Sequence, residues 1–233
     1  MTTGSVIVFG AGAGLGAAIV RRFRAAGHPC VAVARDQARL DAVFADMPDV
    51  LRLSADASDS AAVAAAMTSA EERAGPLAAA IANGAAWKIA KVAETDPADF
   101  EAVWRQTTLA ACNVLHHAGK RMAERGAGSI LFTGSAAQMR AAAGFGLMAA
   151  AKSGLHALVR AGARELGPLG VHVGHVIVDG PIDSDRTRAA NADHDRLIDP
   201  AGIAEAFYFL HAQPRAAWTN EMDVRAFAEW PAG

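Results

Sequence analysis

Short apolar runs alternate with helix-patterned segments along almost the whole chain, and this alternation constrains the fold more than any other feature. The runs are Val6 to Phe9, Cys30 to Ala34, Val50 to Ser54, Leu77 to Ala82, Ser129 to Thr133, Val171 to Val178 and a last one near Met222 to Val224. Segments this short and this continuously apolar have to be buried on both faces, which a parallel sheet covered by helices on each side achieves. They predict an α/β fold with a doubly wound parallel sheet of about seven strands. No internal repeat and no Pro/Ser-rich linker interrupts the pattern, so residues 1–233 are expected to form one domain.

The segments between the runs carry helix punctuation. Asp96-Pro97 and Asp199-Pro200 each place a capping carboxylate before a proline, whose missing N–H would be unpaired in a first turn anyway. Gly27 and Gly75-Pro76 are stop signals for helices expected to run from about Leu15 and from Ser58. Alanine-rich Ala61 to Ala66 falls inside the second of these, where it reads as helix propensity.

Charge and composition exclude several classes of function. A net charge of -2 and no basic cluster beyond Arg21-Arg22 speak against a nucleic-acid partner. The longest apolar run, Ala141 to Ala151, is well under the ~20 residues of a membrane span and reads as a packed helix start, so no membrane association is expected. A strand beginning at Ser5 leaves no room for a signal segment, so a cytoplasmic location is expected. Cys30 and Cys112 fall in a strand and a helix and read as buried thiols without a disulfide. The eight histidines show no H-E-x-x-H spacing, and no metal is expected.

The strongest local signal follows the first strand: Gly10-Ala-Gly12-Ala-Gly14-Leu15-Gly16, opening a helix through Ala26. Glycines let the backbone turn tightly and approach a pyrophosphate, and a helix N-terminus offers free N–H donors and a positive dipole end. That makes a Rossmann-type dinucleotide site. The placing of Gly10, Gly14 and Gly16 resembles the G-x-x-x-G-x-G of the short-chain dehydrogenase/reductase family. Arg35 ends the second strand where NAD-preferring members carry an acid. A guanidinium there can clamp a 2′-phosphate, so NADP(H) is favoured over NAD(H), while Asp36 beside it would repel that phosphate. Arg35 also reads simply as a solvated helix-start residue.

Further segments extend the resemblance to nearly the whole chain. Ser54-Ala-Asp56-Ala57 is similar to the segment whose aspartate meets the adenine amino group, although Asp56 reads equally as a helix cap. Ala82-Asn83-Gly84-Ala85 resembles N-N-A-G with the first asparagine lost and Asn83, which in the family braces the sheet, kept. Gly180-Pro-Ile182-Asp-Ser184 resembles the P-G-x-I-x-T segment that meets the nicotinamide carboxamide, with Asp179 replacing the proline. Trp218-Thr219-Asn220 resembles the family's T-G turn. The family also implies a homodimer or homotetramer packed through the fourth helix, Pro97 to Glu124, and the helix that carries Lys152.

At the reaction site the resemblance breaks. The family places a serine at the end of the fifth strand, a tyrosine thirteen positions later and a lysine four after that; here those positions hold Ser135, Met148 and Lys152. The relay asparagine of the fourth helix aligns with Thr107. The one tyrosine, Tyr208, belongs to the helix after Pro200 and reads as core. A thioether has no proton to give, and a positioned general acid is worth about 10²–10⁴ in rate. Lys152 would also bond the nicotinamide ribose, and Ser135 could polarise a substrate oxygen or merely bond backbone.

Two readings follow. In one, the chain is an NADP(H)-dependent oxidoreductase acting on a small molecule, a C=N, an activated C=C or a C=O with Lys152, Asp179 or water as donor. In the other it binds NADP without turnover, as a redox sensor or partner subunit. The polar segment from Asp183 to Ile198 is expected to lid the substrate pocket.

Overall fold

A computed structural model of the chain describes residues 4–228. Seven strands form one all-parallel sheet: β1 (Ser5–Phe9), β2 (Cys30–Ala34), β3 (Leu51–Ser54), β4 (Leu77–Ala82), β5 (Gly128–Ser135), β6 (Val171–Val178) and β7 (Glu221–Val224). Their order is β3-β2-β1-β4-β5-β6-β7. The chain therefore winds outward from β1 in one direction, returns, and winds outward from β4 in the other. The crevice beyond the C-terminal ends of β1 and β4, where the winding reverses, is the place such sheets hold ligands.

Alternate residues of each strand enter different cores. Val6 and Val8 of β1, with Cys30 and Ala32 of β2 and Val176 of β6, pack beneath α1 (Leu15–Ala25) and α8 (Pro200–Ala212). Ile7 and Phe9, with Val31, Val33, Ile130 and Phe132, face α3 (Ser60–Ala74), α5 (Ala110–Arg125) and α6 (Gly146–Leu166). Burial on both faces explains why the central strands read as apolar runs, whereas the edge strands β3 and β7 are only partly covered and carry charged residues.

The caps sit close to the positions expected. Asp96 accepts from the Ala98 N–H to start α4 (Pro97–Trp104), and Asp199 accepts from Ala201 to start α8. The helix expected from Ser58 begins instead at Ser60, because Asp59 takes the cap and accepts from Ala61 and Ala62, leaving Asp56 to bond the Ser58 N–H one turn earlier. The run from Ala141 is loop as far as Phe145, and α6 starts at Gly146. The fourth helix, expected as one piece, is α4 and α5 joined by a π-helical turn over Arg105–Leu109. No helix among the described residues is long and apolar enough to cross a membrane.

Candidate cofactor and reaction site

Two adjoining cavities open at the reversal of the winding. One, about 390 Å³, lies over β1, β2 and β4 and is lined by Gly10, Gly12, Arg35, Asp36, Arg39, Asp56, Ala57, Asn83 and Gly84 among others. The second, about 410 Å³, lies over β4, β5 and β6 and takes in Gly14, Leu15, Ser135, Met148, Lys152, Gly180 and Ile182. Asn83 and Ala85 line both, so the pair forms one groove passing in front of the glycine loop.

The glycines of that loop divide into two kinds. A Cβ on Gly16 would stand 2.4 Å from the Gly10 carbonyl, and one on Gly10, at φ +81°, would stand 2.6 Å from the Gly84 nitrogen; both are glycine because the protein's own backbone fills the space. Gly12 and Gly14 have nothing within 4 Å of that point, so the bare side they present is turned to open space. No side chain caps α1 and its first turn holds no acid, in contrast to α4 and α8, each capped by aspartate. An open glycine cradle before an uncapped helix start fits a pyrophosphate, which a Cβ at either position would obstruct.

Around the β1–β4 cavity, Asn83 is a brace: its amide donates to the Gly10 carbonyl at 3.0 Å and its oxygen accepts from Thr133 at 2.8 Å. Asp56 holds the turn into α3 through Ser58 while lining the cavity. Arg35 is exposed at the rim, joined by Arg39, which the sequence reading missed. The two basic residues are four apart, and Asp36 between them accepts from the Arg39 N–H at 3.0 Å as the cap of α2 (Gln37–Val43). The Asp36 carboxylate is thus committed to a helix start.

In the second cavity, Lys152 is buried, donates from Nζ to the Thr133 carbonyl at 2.6 Å, and is pushed down to about 8 by desolvation. Met148, one turn earlier on α6, is also buried and adds an apolar wall. Ser135 accepts from the Ala137 N–H at 3.3 Å through its hydroxyl oxygen, in a capping box with Gln138. Trp87 and Phe145 meet edge to face at 5.5 Å, and Trp87 lines the mouth. The expected lid contributes Asp183, Ser184, Arg186 and Thr187 to the lining, partly from α7 (Asp185–Ala190).

Three expected roles change. Thr107 is buried and lies outside both linings; its hydroxyl accepts from the Ala86 N–H at 3.4 Å, so it props the loop after β4. Asp179 is no proton donor here, because its carboxylate accepts from Arg140 at 2.7 and 2.8 Å, with Arg225 at 3.4 Å, and does not line the cavity. Gly16 serves packing. Arg140 and Arg225 carry no motif, and only their meeting in space marks them.

The family model described as short chain dehydrogenase matches residues 5–195. The 3-oxoacyl-(acyl-carrier-protein) reductase MabA of Mycobacterium tuberculosis is 30% identical over 219 residues, 90% of this chain and 85% of that protein. A short-chain dehydrogenase from Rhodopseudomonas palustris is 32% identical in sequence and superposes with a TM-score of 0.84 over 97% of this chain and 100% of that one. The alcohol dehydrogenase of the archaeon Thermococcus sibiricus, complexed with 5-hydroxy-NADP, is 22% identical and shares the fold, with a TM-score of 0.86 over 97% of this chain and 98% of that one.

Proposed function

The chain belongs to the short-chain dehydrogenase/reductase family of oxidoreductases, and on that premise we propose that it is NADP(H)-dependent and reduces a small substrate that needs no phenolic acid beside it. The observation that carries this reading is the contrast between the two ends of the groove. The dinucleotide end presents the open side of Gly12 and Gly14 before an uncapped α1, with Arg35 and Arg39 at the rim, whereas the reaction end keeps Lys152 and Ser135 around a buried thioether.

In this reading Gly12, Gly14 and the first turn of α1 receive the pyrophosphate, and Arg35 with Arg39 receives the 2′-phosphate. Asp56 and Ala57 meet the adenine, Lys152 the nicotinamide ribose, and Gly180 to Ile182 the carboxamide. When bound, the reduced nicotinamide supplies hydride. Ser135 orients the acceptor through its hydroxyl. Met148 excludes water from the acceptor without offering a proton. An iminium already carries positive charge and an activated alkene can be protonated slowly at carbon, so both tolerate that wall better than a ketone does. The chain is further proposed to act in the cytoplasm as a homodimer or homotetramer, a reading supported by Phe100 and Trp104 exposed on α4, with light scattering as its test.

The test is NADPH oxidation over imines, enones and ketones, in the wild type and in Met148→Tyr. Turnover of an imine or enone by the wild type, with the variant gaining only on ketones, supports the proposal. NADPH binding without turnover on any of the three would transfer the assignment to a non-catalytic NADP-binding module, which the joint loss of a donor at Met148 and of an amide at Thr107 favours.

A further inference from the structure

The lining of the reaction cavity includes three charged side chains: Lys152, Asp183 and Arg186. The acid among them is already engaged, because Arg188 grips both its oxygens, Nε donating to Oδ1 at 2.6 Å and a terminal nitrogen to Oδ2 at 2.5 Å. That fork holds the Asp183 carboxyl below the usual carboxylate range. Lys152 donates to the Thr133 carbonyl, a neutral partner that leaves its ammonium charge uncancelled. Arg186 is exposed and has neither an ion pair nor a hydrogen bond among the described residues. The cavity therefore carries two uncancelled positive charges, one buried and one at the rim.

The rim charge is held in place by the lid. At the base of that segment the Ile198 N–H donates to the Pro181 carbonyl and the Asp183 N–H to the Ile198 carbonyl, each at 2.9 Å. Inside it the Thr187 hydroxyl donates to the Ile182 carbonyl at 2.7 Å, which ties α7 down next to Arg186. Between the two charges the wall is apolar, with Met148, Val178, Pro181 and Ile182, and Trp87 at the mouth. An entering iminium with no other charge would meet two cations and no free carboxylate. An anionic group on the same molecule reverses that balance.

We propose that the substrate carries an anionic oxygen group, such as a carboxylate, that Arg186 binds at the rim while its apolar body lies along Met148 and Trp87. The proposal rests on the reductase reading above and narrows its substrate to an imine or enone that bears an acid. It adds no proton donor to the site, since a guanidinium keeps its charge throughout. Its planar fork matches a carboxylate with two N–H donors, which gives orientation as well as attraction. Gly14 and Leu15 share the same lining, so the cofactor pyrophosphate is the competing anion for Arg186. NADPH affinity separates the two roles.

The experiment measures NADPH-dependent reduction of two matched pairs, benzalacetone bearing a para-carboxylate against its methyl ester, and a cyclic imine bearing a carboxylate against its methyl ester. Each is offered to the wild type, Arg186→Gln, Arg186→Lys and Arg188→Gln. In the wild type the acids should have KM values roughly 10- to 100-fold below those of the esters at similar kcat, an advantage that shrinks as salt is added. Arg186→Gln should bring acid and ester together with NADPH affinity unchanged, and Arg186→Lys should keep part of the difference. Arg188→Gln releases Asp183 to compete for Arg186 and should also lower the acid's advantage. Calorimetry gives a readout without turnover: the saturated acid formed from the benzalacetone should bind NADP⁺-loaded wild type and bind Arg186→Gln more weakly. Equal KM for acid and ester in the wild type overturns the anion site and leaves the reductase reading intact. Loss of NADPH affinity in Arg186→Gln, with the acid's advantage kept, assigns Arg186 to the cofactor and overturns the proposal too. If neither pair turns over, the reductase reading fails, and calorimetry decides the anion site alone: weaker binding of the saturated acid by Arg186→Gln supports it, and equal or absent binding overturns it.

Discussion

Replacing the buried imidazole of β6 by His175→Leu should make the protein markedly less sensitive to acid. In the unfolded chain a histidine titrates near 6.5, whereas in the fold desolvation pushes His175 down to about 3. Between those values the unfolded chain holds a proton that the folded one refuses, so stability falls as pH falls, starting just below 6.5 and ending near 3. At pH 5 an unfolded histidine is about thirtyfold more protonated than not, which corresponds to a loss of about 2 kcal/mol from this one residue. His211, down to about 4 for the same reason, adds a loss of similar sign, but it is common to both proteins and cancels in the comparison. Leucine has about the volume of histidine and removes two unpartnered nitrogens, so at pH 7 the variant should be as stable as the wild type or up to ~2 kcal/mol more stable. Urea denaturation at pH 7 and pH 5, with equal slopes required for the comparison, reads the difference directly. The wild type should lose about 2 kcal/mol more than His175→Leu over that interval. Equal losses would mean that the ring is charged or solvated in the native state, and the burial argument would be wrong.

Other consequences can be checked more briefly. Gly16→Ala places a methyl group against the Gly10 carbonyl and should cost roughly 2–4 kcal/mol in a melt, whereas Gly12→Val, with open space before it, should melt like the wild type and lose NADPH affinity by at least about tenfold. Arg35→Ala should weaken NADPH by roughly 10- to 100-fold and leave NADH nearly unchanged, as read by fluorescence titration; equal losses for both cofactors would remove the 2′-phosphate assignment. The Lys152 ammonium is present below about pH 8 and lost above it, so NADPH affinity should decline as pH rises past that point, and Lys152→Met should flatten the curve.

The central strands were legible because burial on both faces leaves a largely apolar run, and α4 and α8 because a capping aspartate before proline acts within a few residues. Asp59 displaced the expected start of α3 because two carboxylates compete for one cap within four residues, and only geometry chooses between Asp56 and Asp59. Local rules also found the glycine loop, yet they could not separate Gly16, closed by backbone, from Gly12, open to ligand. What escaped the sequence is what depends on meeting across the fold. Asp179 looked like a spare acid until Arg140 and Arg225 closed on it, and His175 looked like any strand residue until Gly134 and α6 gave it a place. Arg39 needed only the turn of α2, and its spacing from Arg35 was a signal available in the sequence.

Deuterium transfer from labelled NADPH tests the central claim most directly. The wild-type protein, saturated with NADPH carrying deuterium at the transferable position, would be offered the imine, enone and ketone panel, with product analysed by mass spectrometry and cofactor binding measured on the same sample. The account predicts binding together with one deuterium in the reduced product of an imine or enone. Tight binding with no label in any product, or no binding at all, would contradict it.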